Sequence, residues 1–329
     1  MVISKRSDIL RRNTIRDTWA KNHDNVVFLV GKEFCGIAPK LRSSDGCILR
    51  DDITSLEFLS SKQQGVQEDY ILQENQISKF VRSEPNVVLL DMVDMYSTLA
   101  RKVKLGYKWV VGNTRANFIV KADDDMFLRV GSLSKYIEDN DYFYNKEDLI
   151  YSGIFARNSS GNLKVFTKGK WKETLYKREY YPKFALGSAG HMVSRNIASY
   201  ISENSENLIE YHGEDTSVGI WLHEAPFYDD VIYDNNYLFT GSASCMNKKG
   251  FPVQKYVIGH MFKPDGIRDC YAVQDEVEEK TVIIGLGSGR CGTLEFSQLH
   301  ELLKNSKFDF DQKSDLAVTI LARFYDHFF

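Results

Sequence analysis

The sequence predicts an α/β fold built on a mostly parallel sheet flanked by helices, followed by a short strand–loop–helix tail, and three observations carry that prediction. Short apolar runs recur at residues 26–30, 86–90 and 118–122, each stopped by polar residues as a buried strand is. Between the last two, Val93, Leu99, Val103 and Tyr107 fall at roughly helical spacing, and residues 109–111 continue the stripe. Strand, helix, strand requires a crossover and therefore parallel neighbours. Finally, Asp123, Asp124 and Asp125 directly follow the third run, at the carboxyl end of a strand, where open α/β sheets bind ligands.

Size and composition bound the rest. With 329 residues, 43% hydrophobic and 13% aromatic, the chain has ample material for a core and is not disordered as a whole. Against 42 Lys and Arg stand 45 Asp and Glu, a net charge of −3, so no whole-molecule basic field exists to hold nucleic acid. No apolar run approaches the 18 or so residues that span a bilayer, and the basic amino end lacks a signal-peptide core. Five cysteines are scattered without a CxxC pair. Cys35 with Cys47, and Cys245 with Cys270, are each spaced to close a local loop, while cysteine is equally a small core residue, and the two readings stand level.

Residues 35–67 carry scattered Gly, Ser, Asp and Lys with weak periodicity and read as a surface excursion. The charged, Gly-free run 273–280 reads as a module boundary before a fresh strand at 281–284. This divides the chain into a catalytic domain over 1–275 and a fragment over 280–329.

Three groups of residues point to chemistry. Adjacent anions repel, so Asp123, Asp124 and Asp125 are best tolerated beside a cation, and oxygen ligands favour Mg²⁺ or Mn²⁺. On an extended chain Asp123 and Asp125 face the same way and bracket a metal that also holds a pyrophosphate. A solvated turn explains one such Asp well and three poorly. The pair Glu214 and Asp215, ahead of an apolar stretch, reads equally as a helix start and as a catalytic base. Arg11, Arg12 and Arg16 beside Trp19 suit phosphate and base contacts, or a surface helix with its Trp buried.

Together these signals resemble the β1,3-galactosyltransferase family of inverting, UDP-sugar-dependent glycosyltransferases. Arg11, Arg12, Ile15, Arg16, Thr18 and Trp19 match the family's RRxxIRxTW; Phe28, Leu29, Val30 and Gly31 match its following strand; Asp91, Asp94, Tyr96, Leu99 and Lys102 match DxxDxYxxLxxK. Asp123 to Asp125 take the place of the DDD motif. Lys170 and Trp171 look like KW, residues 181–190 like YPxYxxGxG, and Glu214, Asp215 and Gly219 like EDVxxG. The resemblance spans residues 2–271, and the ordered combination is specific although no single motif is.

The resemblance implies a GT-A nucleotide-diphospho-sugar transferase fold and transfer of galactose from UDP-galactose to a glycan acceptor in β1,3 linkage. N-acetylglucosamine is the alternative sugar, and a catalytically degenerate UDP-binding relative the alternative role. It makes Asp215 the base and assigns Mn²⁺ or Mg²⁺ to Asp125, Asp123 and His260. Arg16, Lys121, Asp123 and Asp124 fall at the donor, and Trp171, Glu214 and Gly187 at the acceptor or pocket. His191 stands where the family has an aromatic, and Thr216 where it has Val. Relatives of this kind are Golgi membrane proteins with a lumenal catalytic domain, so membrane association is expected only through an anchor absent from this chain, by truncation or processing. The sequon at Asn158, Ser159 and Ser160 agrees with a lumenal domain.

In the tail, an apolar run leads into Gly285, Gly287, Ser288, Gly289, Arg290, Gly292 and Thr293 and then a helical stretch, a geometry whose amides cradle phosphate. No Lys precedes Thr293, so this is no Walker A motif; it resembles the PAPS-binding loop of sulfotransferases. Fifty residues do not make a sulfotransferase, so no sulfotransfer is expected.

Overall fold

The computed structural model describes residues 1–43, 46–139, 143, 148–156, 163–235, 238–241, 244–246 and 255–282, with side chains through 273. Two compact units divide the chain, Met1–Glu278 and Glu279–Phe329. The tail loop from Gly285 to Thr293 and the sequon at Asn158 lie outside the described residues.

In the first unit the chain runs β1 (Val2–Ile3), α1 (Ile9–Asp17), β2 (Phe28–Glu33), α2 (Ser61–Val81), β3 (Val87–Val93), α3 (Leu99–Asn113) and β4 (Phe118–Asp123). It continues through β5 (Phe127–Leu128), α4 (Val130–Glu138), β6 (Ile150–Gly153), β7 (His191–Ser194), α5 (Arg195–Glu203) and α6 (Glu214–His223). Strands β8 (Ile232–Asp234), β9 (Phe239–Thr240) and β10 (Val257–Ile258) lead to α7 (Pro264–Val282).

Seven strands form the main sheet in the order β3-β2-β1-β4-β7-β6-β8, and β5, β10 and β9 form a small second one. From β3 to β4 every pairing is parallel; β7 then runs antiparallel between β4 and β6, and β8 lies parallel to β6. The sheet is mixed and mostly parallel with helices on both sides, the architecture of a GT-A-like fold. Period-two alternation splits its core. Ile3, Leu29 and Ile119 pack with Val103, Tyr107 and Trp221 on one side, while Val2, Phe28 and Ala122 pack with Ile15, Trp19 and Met126 on the other.

The strands are where the apolar runs predict them, shifted by up to three residues. The helical reading starts too early: Val93 ends β3, and α3 begins at Leu99. The surface excursion is shorter than expected, because residues 61–67 already belong to α2, whose start Ser60 and Gln63 close as a capping box. Residues 34–43 and 46–60 form a small lobe over Ala38, Leu41, Ile53 and Leu59, closed by the Cys35–Cys47 disulfide. Cys245 and Cys270 also form a disulfide, so for these four cysteines the loop-closing reading holds.

The strand expected after the charged run needs correction. Residues 273–280 are helical, and α7 continues through Thr281 and Val282, where a strand was expected. Glu, Lys and Gln are good helix formers and no Gly or Pro interrupts them, so the run continues the helix.

Candidate active site

The site grows from the register of β1 and β4. Val2 pairs with Ala122 and Ile3 with Asp123, so both strands end together, and the Asp124 amide donates to the Ile3 carbonyl at 3.1 Å. This is the point where strand order reverses, with β2 on one side of β1 and β4 on the other, and such a point leaves a crevice at the strand ends. Asp123 closes β4, and Asp124 and Asp125 form a turn.

Two hollows meet at this turn. One, of about 630 Å³, is lined by the β1–α1 loop (Ser4 to Asp8), Arg11, Phe34, Tyr70, Asp94 and all three aspartates. The other, of about 590 Å³, is lined by Phe166, Trp171, Gly187, Glu214, Asp215 and His260 among others. Tyr96, Leu99, Asp123, Asp125 and Lys170 face both. Asp123 and Asp125 therefore share an outlook as expected, although through a turn and not along an extended strand.

Arg12, with no solvent exposure, explains the basic start of α1. Its guanidinium forms a two-pronged pair with Glu84 at 2.7 and 2.9 Å and bonds Ser4 Oγ, the Lys5 carbonyl and the Arg6 carbonyl. All its donors are spent on shaping the loop that lines the first hollow. Arg16 reaches Glu84 and the Pro85 carbonyl and covers the Phe28 ring, so it buttresses that pair and does not reach either hollow. Trp19 is buried and ties α1 to the aspartate turn through Nε1–H to the Met126 carbonyl, 3.1 Å. Only Arg11 reaches toward the acids, 3.9 Å from Asp124 and 4.0 Å from Asp125.

Lys121, expected at the donor, is fully buried beneath the floor. Its ammonium lies 2.7 Å from Asp123 and 3.0 Å from Glu214, joining the β4 terminus to the start of α6. Burial alone would lower its proton affinity; the two carboxylates override this and raise it. Burial would raise the Glu214 carboxyl, and the Lys121 charge instead holds it below its ordinary value. Asp123 is raised by burial in spite of Lys121, and burial pushes Asp124 up to about 7 against the bond from Ser4 Oγ at 2.7 Å.

Asp215 sits in the first turn of α6, whose cap is Gly213. The Gly187 amide donates to its Oδ2 at 3.0 Å and the Thr216 amide to its Oδ1 at 2.8 Å. Burial and then the Glu214 charge push its carboxyl up to about 7. Helix start and candidate base are thus one residue. Gly187 packs closely on this pair: a Cβ there would lie 2.6 Å from Glu214 Oε1, which would have to shift from its place beside Lys121. Thr216 turns its hydroxyl to the Gly213 carbonyl, 3.1 Å.

His260 lines the second hollow, and its buried Nδ1 has no hydrogen-bond partner among the described residues. No three His, Cys, Asp or Glu side chains among the described residues gather into a complete metal cage. His191 lines neither hollow; it is buried in β7 with Nε2 2.6 Å from the Tyr107 hydroxyl, and burial lowers its proton affinity to about 3. It serves the core as a neutral ring. Trp171, 57% exposed, stands at the rim against Phe166.

Comparison with known proteins matches residues 66–227 to the family model described as galactosyltransferase. These residues carry a galactosyltransferase-family domain match over just under half of the chain. The family segment runs from α2 to just beyond α6 and so carries both the aspartate turn and Asp215. The chain is 33% identical over 155 residues to UDP-GalNAc:beta-1,3-N-acetylgalactosaminyltransferase 2 of Xenopus laevis, covering 47% of this chain and 29% of that protein. It is 28% identical over 175 residues to beta-1,3-galactosyltransferase 6 of Mus musculus, covering 52% and 49%. Hydroxyproline O-galactosyltransferase GALT2 of Arabidopsis thaliana is 32% identical over 143 residues, covering 42% and 20%. The match thus spans less than a third of the Xenopus protein's length and about half of the mouse protein's.

Several site residues carried no signal in the sequence. Ser4, Lys5 and Arg6 look like an ordinary polar turn, and Phe34 falls just before the excursion and Tyr70 and Glu74 after it; chain topology alone brings them to the first hollow.

Proposed function

We propose that this chain is an inverting glycosyltransferase that moves a galacto-configured hexose from a UDP-sugar to a glycan hydroxyl in β1,3 linkage. The observation that supports this most is Asp215, a carboxylate of raised proton affinity held by two backbone amides in a hollow that meets the aspartate turn. The first hollow takes the nucleotide diphosphate and the second the acceptor. A base near neutral proton affinity is matched to removing a proton from an attacking hydroxyl. The acceptor oxygen bonds to the sugar's anomeric carbon, the bond to the terminal phosphate oxygen breaks, its electron pair leaves with UDP, and the hydroxyl proton passes to Asp215. One displacement inverts the anomer, giving a β product from an α-linked donor.

The donors in the cleft suit Mn²⁺ or Mg²⁺. Asp125 is a hard oxygen ligand, Asp123 stands beside it, and the orphaned buried nitrogen of His260 adds an imidazole. Asp125, Asp123 and His260 are the residues that would hold such an ion. When bound, such an ion neutralises charge developing on the diphosphate. Asp124, locked to Ser4, faces the first hollow only and fits the ribose side of the donor.

The names of the relatives support a galacto configuration, since galactose and N-acetylgalactosamine share it and N-acetylglucosamine does not. The lumenal side of the Golgi is the proposed location. The two disulfides support it, because such bonds persist in oxidising compartments. Among the described residues no helix is long and apolar enough to cross a membrane.

The test is thermal stabilisation by UDP-galactose, UDP-N-acetylgalactosamine and UDP-N-acetylglucosamine, with and without Mn²⁺. A Mn²⁺-dependent shift with one galacto-configured donor, followed by transfer, is expected. Binding without transfer to any glycan would mark a degenerate relative, and no shift in a folded chain would overturn the reading.

A further inference from the structure

A displacement at the anomeric carbon leaves negative charge on the departing terminal phosphate, and the cations around the first hollow are mostly committed elsewhere. Arg6 bonds the Gly31 and Lys32 carbonyls, Glu74 and Ser78. Lys102 is buried on Asp94 and the Ser4 carbonyl. Arg11 is bonded to the Phe262 carbonyl and lies against the aspartates.

Lys5 and Arg42 also line the first hollow but do not reach the second, and Lys170 reaches both. Among the described residues it is the one cation that lines both hollows, in the company of Asp123, Asp125, Tyr96 and Leu99. Its ammonium has no carboxylate within 4.0 Å among the described residues; it rests over the Tyr96 ring at 4.7 Å and near the Trp171 ring at 5.9 Å. The rings hold the side chain in place without neutralising it.

The backbone that presents Lys170 is well anchored. The His212 Nε2–H donates to the Lys170 carbonyl at 2.9 Å, and Gly169 beside it takes φ +80°, a conformation glycine adopts without strain. Three residues on, the buried Glu173 carboxylate accepts from the amides of Leu175, Tyr176 and His212. A free cation on a fixed mount, at the seam where donor and acceptor meet, is preorganised for charge that appears only during reaction.

We propose that Lys170 is the cation that receives the leaving diphosphate, meeting the terminal phosphate oxygen as its bond to the sugar breaks. The proposal rests on the glycosyl-transfer reading above. Lys170 takes no proton in the step; it supplies charge to the oxygen that retains the electron pair, while Asp215 takes the acceptor's proton.

The experiment titrates UMP, UDP and UDP-galactose into wild type, Lys170→Met and Lys170→Arg at fixed Mn²⁺ by calorimetry, with thermal melts to show that each chain is folded. UDP has a terminal phosphate with an extra negative charge that the sugar ester lacks. Lys170→Met should therefore lose about tenfold or more of its affinity for UDP, with less than about threefold lost for UDP-galactose and UMP. Lys170→Arg should recover most of the loss. In turnover, Lys170→Met should lower kcat on the order of a hundredfold with little change in donor KM. Equal losses for all three nucleotides, or no loss for UDP, would overturn the role while leaving the transfer reading intact. A wild-type chain that binds no uridine nucleotide would overturn both.

Discussion

Replacing Asp215 by Asn tests whether the burial that makes this carboxylate basic also costs the fold stability. Its carboxyl rises from 3.8 to about 7, first by burial and then by the neighbouring Glu214 charge. The native state holds this proton more tightly than the unfolded chain does. The group's stabilising contribution is therefore complete below about pH 4 and is lost as pH rises through 7. Above that, a rise of about three pH units at ~1.4 kcal/mol each disfavours the ionised native state by up to about 4 kcal/mol. Water in the open cleft screens this to roughly 2 kcal/mol. Asn is neutral and retains one of the two bonds from the Gly187 and Thr216 amides, a loss of about 1 kcal/mol. Asp215→Asn should thus be more stable than wild type by roughly 1 kcal/mol at pH 8, about 2 °C in melting temperature for a chain of this size, and less stable by roughly 1 kcal/mol near pH 4, where the ionisation cost is absent and only the lost amide bond counts. Transfer should fall on the order of 10² to 10⁴. Paired thermal melts across pH 4 to 8, with a transfer assay at pH 7, read all of this. A stability difference that does not change with pH would refute the burial argument, and full activity would reduce Asp215 to a helix-start residue.

Removing Glu84 with Ala should cost about 3 to 5 kcal/mol by urea unfolding, because it leaves the Arg12 guanidinium buried without its carboxylate, and a loss under about 1 kcal/mol would contradict that pairing. Gly259→Ala should destabilise by about 1 to 3 kcal/mol in thermal melts, since the added Cβ would lie 2.2 Å from the Ser188 carbonyl oxygen, which is backbone and yields little. Gly112→Ala, in the exposed last turn of α3 with nothing within 4 Å, should instead stabilise by about 0.5 to 1 kcal/mol. Reducing the Cys35–Cys47 and Cys245–Cys270 disulfides, which close separations of 12 and 25 residues, should cost about 3 kcal/mol each in a melt with and without reductant.

Much of the site was legible because its chemistry is local. Three aspartates after a buried strand, and a carboxylate pair before an apolar helix, keep their meaning whatever the chain does elsewhere, and the ordered motifs identify the family on the same grounds. Arg12 and Arg16 were not legible. The pattern of α1 allows both ligand contacts and burial, and what decides between them is Glu84, 72 residues from Arg12, whose carboxylate makes a fully buried arginine affordable. Lys121 misled for the same reason: a lysine before an acidic turn looks like a donor contact until Glu214, 93 residues on, pairs it beneath the floor. After the charged run a strand was expected from residue 281, and α7 instead continues through Val282, because helix formers uninterrupted by Gly or Pro give no local signal to stop.

The sequence by itself determined the α/β class, the position of the parallel strands β2, β3 and β4, the aspartate turn and the candidate base, because apolar periodicity and adjacent charges are properties of neighbours along the chain. Only the tertiary structure decided that β1 and β4 end in register, that two hollows meet at Asp123 and Asp125, and that Lys170 stands between them with its charge unspent. Those facts depend on groups far apart in sequence competing for the same buried space and the same counter-charges. The outcome of that competition is set by packing.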